Sequence, residues 1–298
     1  MKDSDITADT ASRRIARRTR GQGHGAITRL MSPSDLGQMV KPFVFLDIFD
    51  ADEETIDQMS GMPLHPHSGI ATITVVTDGH VQFDDPAVGS GVLAYGGVEW
   101  MRAGGGVWHG KELSAANVNR LQGFQLWIAL PPELESTEPE SNYIEAGDMV
   151  KAGPAHIVLG SFDGRQSPLR APSGINYLLV TLKPGEKWTY NPPVGHSICW
   201  LAVASGRLSV GAPVDRGEMI VFEPGETPVV LEAFDEKDAV FVLGSAVPHR
   251  YPLHLGYYSV HTSADALASG EKRIADLHAR LQQVGDRRTG SGTIPVFR

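Results

Sequence analysis

Short apolar runs separated by glycine- and proline-bearing turns recur along the chain, and this punctuation constrains the fold more than any other feature. The apolar runs cover residues 26–30, 43–48, 65–76, 81–83, 92–94, 98–101, 107–109 and 124–130. A second set covers 155–159, 175–182, 187–190, 197–204, 219–222, 229–231 and 239–243. The 298 residues include 33 glycines and 20 prolines, together about 18% of the chain against a usual value near 12%. No G-X-Y period accompanies them, which excludes a collagen. Runs of this length with turns this close predict an all-β protein built as sandwiches or barrels, and exclude a helix bundle. The length favours two domains, and the second set of runs loosely echoes the first. The polar, proline-rich stretch 131–139 (PPELESTEP) approaches a boundary. The expected organisation is a basic flexible arm over 1–23, an N-terminal domain over 24–148, a C-terminal domain over 149–262, and a helix with tail over 263–298. In that last segment the period changes: Ile274, Leu277 and Leu281 share one helical face, with Ser263 as N-cap and Gly285 as C-cap. This helix is expected to cover a sheet surface.

Composition narrows the function classes. The single cysteine, Cys199, excludes an internal disulfide and a cysteine-based zinc cluster. It lies in the longest apolar run, 198–204 (ICWLAVA), far too short to span a membrane. The N-terminus has no apolar signal region, so a cytoplasmic protein with a reduced, buried Cys199 is expected. Net charge is −9 but uneven. Residues 1–30 hold seven basic and three acidic residues, so the rest carries −13. A basic arm ahead of an acidic body suits weak docking on that body better than nucleic-acid binding, because no helix-turn-helix, RNP or zinc-finger pattern accompanies it.

Chemistry must come mainly from the eleven histidines. His65 and His67 are two apart, so on a strand they share a face. That face continues through Gly69, Ala71, Ile73 and Val75, with Ser68, Thr72 and Thr74 opposite, which predicts that the imidazoles head the row facing the domain interior. A divalent metal is the simplest shared partner for two inward imidazoles; a turn or surface location is the alternative. In WMRAGGGVWHGKEL (100–113), Gly104, Gly105 and Gly106 permit a tight turn before the strand bearing His109, with Val107, His109 and Lys111 on one face. This loop matches no phosphate-binding pattern. Glu99 reads as a surface carboxylate. His80, His249, His254 and His261 read as surface or structural groups, and the isolated His156 and His196 leave the second domain without a metal cluster.

Three blocks together carry a family likeness: HPHSGIATITVVTDG (65–79), GVLAYGGVEWMRAGGGVWH (91–109) and FQLWIALP (124–131). The chain resembles the pirin family of two-domain cupins, with weaker likeness over 177–190 and at YYSVHT (257–262). The resemblance implies two jelly-roll cupin β-barrels face to face and one iron-type metal in the first. Family members include flavonol-cleaving dioxygenases such as quercetinase, and metal-containing regulatory proteins. The family pattern takes His65, His67 and His109 as ligands, with a glutamate two residues after the third histidine. Here that position holds Lys111, with Glu112 beside it, and Ala71 stands where the family often carries glutamate.

The departures matter physically. Three neutral imidazoles leave the +2 charge of the ion uncompensated, and a protonated Lys111 nearby repels it further. Two outcomes follow. The site is a three-histidine centre for iron, or for manganese or nickel, completed by Glu112, water or a small aromatic substrate. Lys111 or Glu112 then serves as a nearby charge or base. Alternatively the barrel has lost its metal and acts as a regulatory or protein-binding module. Neither outcome calls for a nucleic-acid or membrane partner.

Overall fold

A computed structural model describes residues 12–56, 64–85, 88–110, 113–115 and 118–284. The chain is all-β with a C-terminal helix, folded as two cupin barrels. Strands β1 (Ile15–Thr19), β2 (Gln22–His24), β3 (Ile27–Met31), β4 (Phe43–Asp52), β5 (His65–His67), β6 (Ile70–Asp78) and β7 (Val81–Asp85) come first. Then follow β8 (Gly89–Leu93), β9 (Val98–Arg102), β10 (Val107–His109), β11 (Leu113–Ala115), β12 (Arg120–Ala129) and β13 (Glu140–Ile144). The first barrel sets a seven-stranded sheet, ordered β13-β9-β6-β12-β4-β3-β2, against the sheet β11-β7-β8 and the two-stranded ladder β10-β5. The second barrel repeats the scheme. Its seven-stranded sheet runs from β1 through Met219–Phe222, Ile198–Ser205, Ala239–Ala246, Ile175–Leu182 and Ala155–Leu159 to Lys151–Ala152.

The two large sheets share one apolar core. Ala71, Ile73, Val75, Trp100 and Phe124 of the first meet Tyr177, Leu179, Trp200 and Val242 of the second, and the rings of Phe43 and Trp200 cross edge to face with centroids 5.3 Å apart. Each large sheet is therefore buried on both sides, once against the partner barrel and once around its own interior.

This arrangement corrects the expected alternation. β5 and β6 are not one strand: Gly69 separates them with φ +73°, and a Cβ there would lie 2.1 Å from the carbonyl oxygen of Val260. The break shifts the alternation by one. Ala71, Ile73 and Val75 pack between the barrels, whereas Thr74 shares the barrel interior with His65 and His67.

Both ends of the described chain cross over. The expected flexible arm is, over residues 15–19, an edge strand: β1 pairs antiparallel with Met219–Phe222. Pairing satisfies the donors of the sheet edge, and the acidic body supplies partners. Arg14 lies 2.9 Å from Glu223, Arg18 2.7 Å from Glu218 and Arg20 2.9 Å from Asp215. Residues 1–11 lie outside the described residues. At the other end, the segment before residue 262 reaches back as well. The hairpin His254–Gly256/Ser259–His261 returns to the first barrel, where Ser259 bridges Ser68.

The helix Ala264–Val284 follows, started by Ser263, whose Oγ accepts from the Ala266 N–H. It covers the site strands as expected of a covering helix. Ile274 and Leu277 are buried, and the Trp108 indole on β10 donates to the carbonyl of Ile274 at 3.0 Å. The expected C-cap Gly285 lies outside the described residues. No described helix is long and apolar enough to cross a membrane.

Candidate metal centre

β5 and β10 pair antiparallel, with His109 opposite His65 and Val107 opposite His67. That register puts three imidazoles on one face of a two-stranded ladder. Their ring centroids lie 4.5 Å (His65–His109), 4.9 Å (His65–His67) and 5.0 Å (His67–His109) apart. One nitrogen from each falls within 4.8 Å of the others, and among the described residues these three form the cluster that suits a metal ion. The tight turn expected before His109 is present. Gly104 has φ +52°, and a Cβ there would come within 2.0 Å of the Thr137 carbonyl oxygen.

The donor set fits a divalent first-row ion, for which imidazole is a common ligand. Burial pushes the pKa of His67 well below its usual value, helped by the neighbouring His109 and His65, so the ring is neutral with a lone pair to offer. Its Nδ1 lies 3.1 Å from the backbone carbonyl of Tyr258. A carbonyl only accepts, so the proton sits on Nδ1 and Nε2 is left as the ligand atom. Tyr258 itself adopts φ +56°, a conformation rare for a side chain of this size. That turn aims its carbonyl at His67 and brings its ring within 5.7 Å of His65.

A buried relay holds the Tyr258 turn in place. Ser68 Oγ lies 2.9 Å from Ser259 Oγ and 2.9 Å from His261 Nε2. His261 Nδ1 donates to Glu135 at 3.0 Å, and Glu135 also accepts from the Thr262 N–H at 2.8 Å and the Thr262 hydroxyl at 2.5 Å. The order Ser–His–Glu resembles a hydrolase triad, but it is sealed. All three groups are buried, and a Cβ on Gly270 of the covering helix would lie 2.6 Å from Ser68 Oγ. No substrate can approach, so the relay is structural.

Below His65, His67 and His109 opens a cavity of about 340 Å³. One wall is a stack: Arg29 lies over Phe45 at 4.4 Å, Phe45 stacks on Trp127 at 4.1 Å, and Trp127 meets His67 edge-on at 4.9 Å. Glu99 corrects the sequence reading. It is buried, lines this cavity and accepts from the Thr74 hydroxyl at 2.6 Å. Alternation rightly turns it away from Val98 and Trp100, but the opposite face of this sheet is the barrel interior rather than solvent. Asp47 also lines the cavity; burial raises its pKa, against the paired Arg29 guanidinium. Lys111 and Glu112 lie outside the described residues, while Gly110, just before them, lines the cavity.

The remaining candidates lie elsewhere. His196 joins Ser245, Tyr190 and Asn176 in a hydrogen-bonded network inside the second barrel. His156 sits at the junction between barrels against Tyr95. Cys199 is buried, its thiol pushed up to about 12 by desolvation, and is chemically inert.

Comparison with known proteins bears on this geometry. The family model described as Pirin matches residues 25–128. A pirin-like protein of Caulobacter vibrioides is 30% identical over 230 residues, covering 74% of this chain and 81% of its own. Among solved structures, a quercetin 2,3-dioxygenase from Acinetobacter baumannii superposes with a TM-score of 0.75 at 22% identity, covering 88% of this chain and 96% of that one. A bacterial pirin from Escherichia coli in complex with nickel(II) gives 0.59 at 19% identity, covering 80% and 98%.

Proposed function

The chain belongs to the pirin family, and from that premise we propose that it is a cytoplasmic, metal-dependent dioxygenase of small phenolic or flavonol-like compounds. The observation that carries this reading is the convergence of His65, His67 and His109 at the head of an aromatic-walled cavity. The quercetin 2,3-dioxygenase among the structures of the same fold supports the substrate class. Iron is the proposed ion, with manganese or nickel as alternatives; the nickel(II) complex of the Escherichia coli relative supports a divalent metal in this fold.

Held by His65, His67 and His109, a divalent ion would supply Lewis-acid and O₂-activating chemistry at the head of the cavity. Both atoms of O₂ enter the product, so no external reductant is needed. The protein's own groups do the rest. The Tyr258 carbonyl keeps the His67 proton on Nδ1. The Phe45–Trp127 stack offers a flat apolar face that orients an aromatic ring and excludes water. Lys111, next in sequence after the cavity-lining Gly110, is proposed to pair with an anionic substrate oxygen, which offsets the missing glutamate. Glu112 is proposed as the fourth ligand or as the base that takes the phenolic proton.

The test is metal content of protein purified without a metal-binding tag, followed by oxygen uptake over flavonols and catechols. Near-stoichiometric iron, manganese or nickel that is lost in the His65→Ala/His67→Ala variant, with oxygen uptake, is expected. Metal-free protein from iron-replete cells overturns the reading. In that case the non-enzymatic regulatory module takes its place, as favoured by Lys111 standing where the family carries glutamate.

A further inference from the structure

A second groove, sharing no lining residue with the histidine cavity, opens where three separate stretches of chain meet. Its walls are the Gly105–Gly106 turn, segment 136–139 and the helical turn from Ser269 to Arg273, and its volume is about 250 Å³. Two opposite charges line it, Arg273 and Glu138, both exposed. Neither side chain makes an ion pair with the other or with any other described residue. Charges close to them in sequence do pair: Arg102 with Glu140 at 2.9 Å and Lys272 with Asp276 at 2.9 Å. The groove thus keeps a cation and an anion apart, each without a protein partner.

The hydrogen bonds fix what else the walls offer. The stem of Arg273 lies along Gly106: a Cβ on that glycine, whose φ is +144°, would come within 3.0 Å of Arg273 Cγ. The Ser136 hydroxyl has no partner among the described residues and keeps its proton to give. Thr137 Oγ1 donates to the Leu134 carbonyl at 2.8 Å, and Ser269 Oγ to that of Asp265 at 2.9 Å. A hydroxyl has one proton, so these two oxygens are left with acceptor capacity only. The groove therefore holds a guanidinium and a hydroxyl donor for a carboxylate, and a carboxylate with two acceptor oxygens for an ammonium group. No third charged group lines it among the described residues. We infer that the groove binds a free α-amino acid with a small uncharged side chain, its carboxylate on Arg273 and its ammonium on Glu138, and that this ligand is an effector of the histidine centre.

The effector role follows from what each wall supports. The glycine turn runs into β10, which sets Val107 opposite His67 and His109 opposite His65. Segment 136–139 follows Glu135, the acceptor that anchors His261 and Thr262. The helical wall includes Gly270, where a Cβ would lie 2.5 Å from His261 Nε2. Next to Arg273, the Ile274 carbonyl accepts the Trp108 indole of β10. One bond already joins two of the walls, from the Gly105 N–H to the Thr137 carbonyl at 2.9 Å. A ligand that spans the groove finds its partners only while the three walls stand together, and that same arrangement holds the histidines in place. Ligand and metal therefore favour one state, and their coupling is positive and reciprocal. This inference rests on a metal at the three histidines but not on the oxidation of any substrate.

Calorimetric titration of the full chain with L-alanine, propionate and ethylamine tests the site. Alanine is expected to bind with a Kd of about 1 mM or tighter. Propionate, which lacks the ammonium, and ethylamine, which lacks the carboxylate, are expected to bind about tenfold more weakly or worse. Arg273→Gln and Glu138→Gln should each weaken alanine binding about tenfold, as loss of a charge-assisted bond does. Both positions are exposed, so the fold survives either change. Alanine should also shift the tryptophan emission of the native protein, and not that of Trp108→Phe. In chelator competition, saturating alanine should tighten metal binding about fivefold or more, and leave it unchanged in Arg273→Gln. No alanine binding, equal binding of the three probes, unchanged affinity in both variants, or alanine binding that leaves metal affinity as it was overturns the inference. Coupled binding without oxygen uptake leaves the inference standing and removes the dioxygenase. Metal-dependent oxygen uptake without alanine binding does the reverse.

Discussion

Glu135 accepts three hydrogen bonds, from His261, Thr262 N–H and the Thr262 hydroxyl, and through them it holds the Tyr258 carbonyl on His67. A carboxamide of the same shape cannot accept all three. Glu135→Gln is therefore expected to lower stability by about 2–3 kcal/mol, the cost of unmatched buried donors, read as a shift of the urea midpoint. It is also expected to weaken metal binding by tenfold or more, as loss of a group that orients a ligand does, read by competition with a chelator. His65, His67 and His109 are legible in the sequence because local spacing encodes them, an i, i+2 pair and a residue delivered by a glycine turn. Glu135, Tyr258 and His261 are not, since their partners lie more than a hundred residues away. Glu99 fails for another reason. Alternation gives its side, but whether that side is solvent or chamber is decided by the closure of the barrel.

Among the elements, the break between β5 and β6 sets the site. Gly69 allows the chain to change phase at a point where the returning hairpin leaves no room for a methyl group. Gly69→Ala combines a φ of +73° with an overlap against Val260; a loss of at least about 2 kcal/mol is expected, together with displacement of the hairpin and lower metal occupancy. The covering helix makes a complementary case. Leu277 is almost fully buried, and Leu277→Ala should cost about 2–4 kcal/mol in chemical denaturation. The apolar runs locate most strands because β-structure with tight turns writes its period locally. Edge strands such as β1 are missed. IARRT has the charge of a solvated arm, and only the waiting edge of Met219–Phe222 makes it a strand.

For the molecule as a whole, acid should be felt before the carboxylates titrate. His156, between the barrels and across from Lys151 in register, has its pKa lowered from 6.5 to about 4 by desolvation and then by that lysine; Tyr95 packs against its ring. The unfolded chain takes up a proton near 6.5 that the folded state refuses until about 4. Unfolding therefore binds protons in this window, and stability falls as pH drops through it. A decrease of a few degrees in Tm between pH 7 and pH 5 is expected, smaller in His156→Gln; a flat profile, or an unchanged slope in the variant, counts against it. The crossed ends have a consequence of a different kind. β1 belongs to the second barrel's sheet, and the final hairpin and helix belong to the first barrel's site. A protease nick in the 131–139 segment should thus release no free half, because each fragment carries part of the other's structure. Neither barrel is a transplantable module: a recombination event that grafted the histidine-bearing barrel into another protein would leave its lid behind. The histidine-bearing half of this protein is inherited only with its tail.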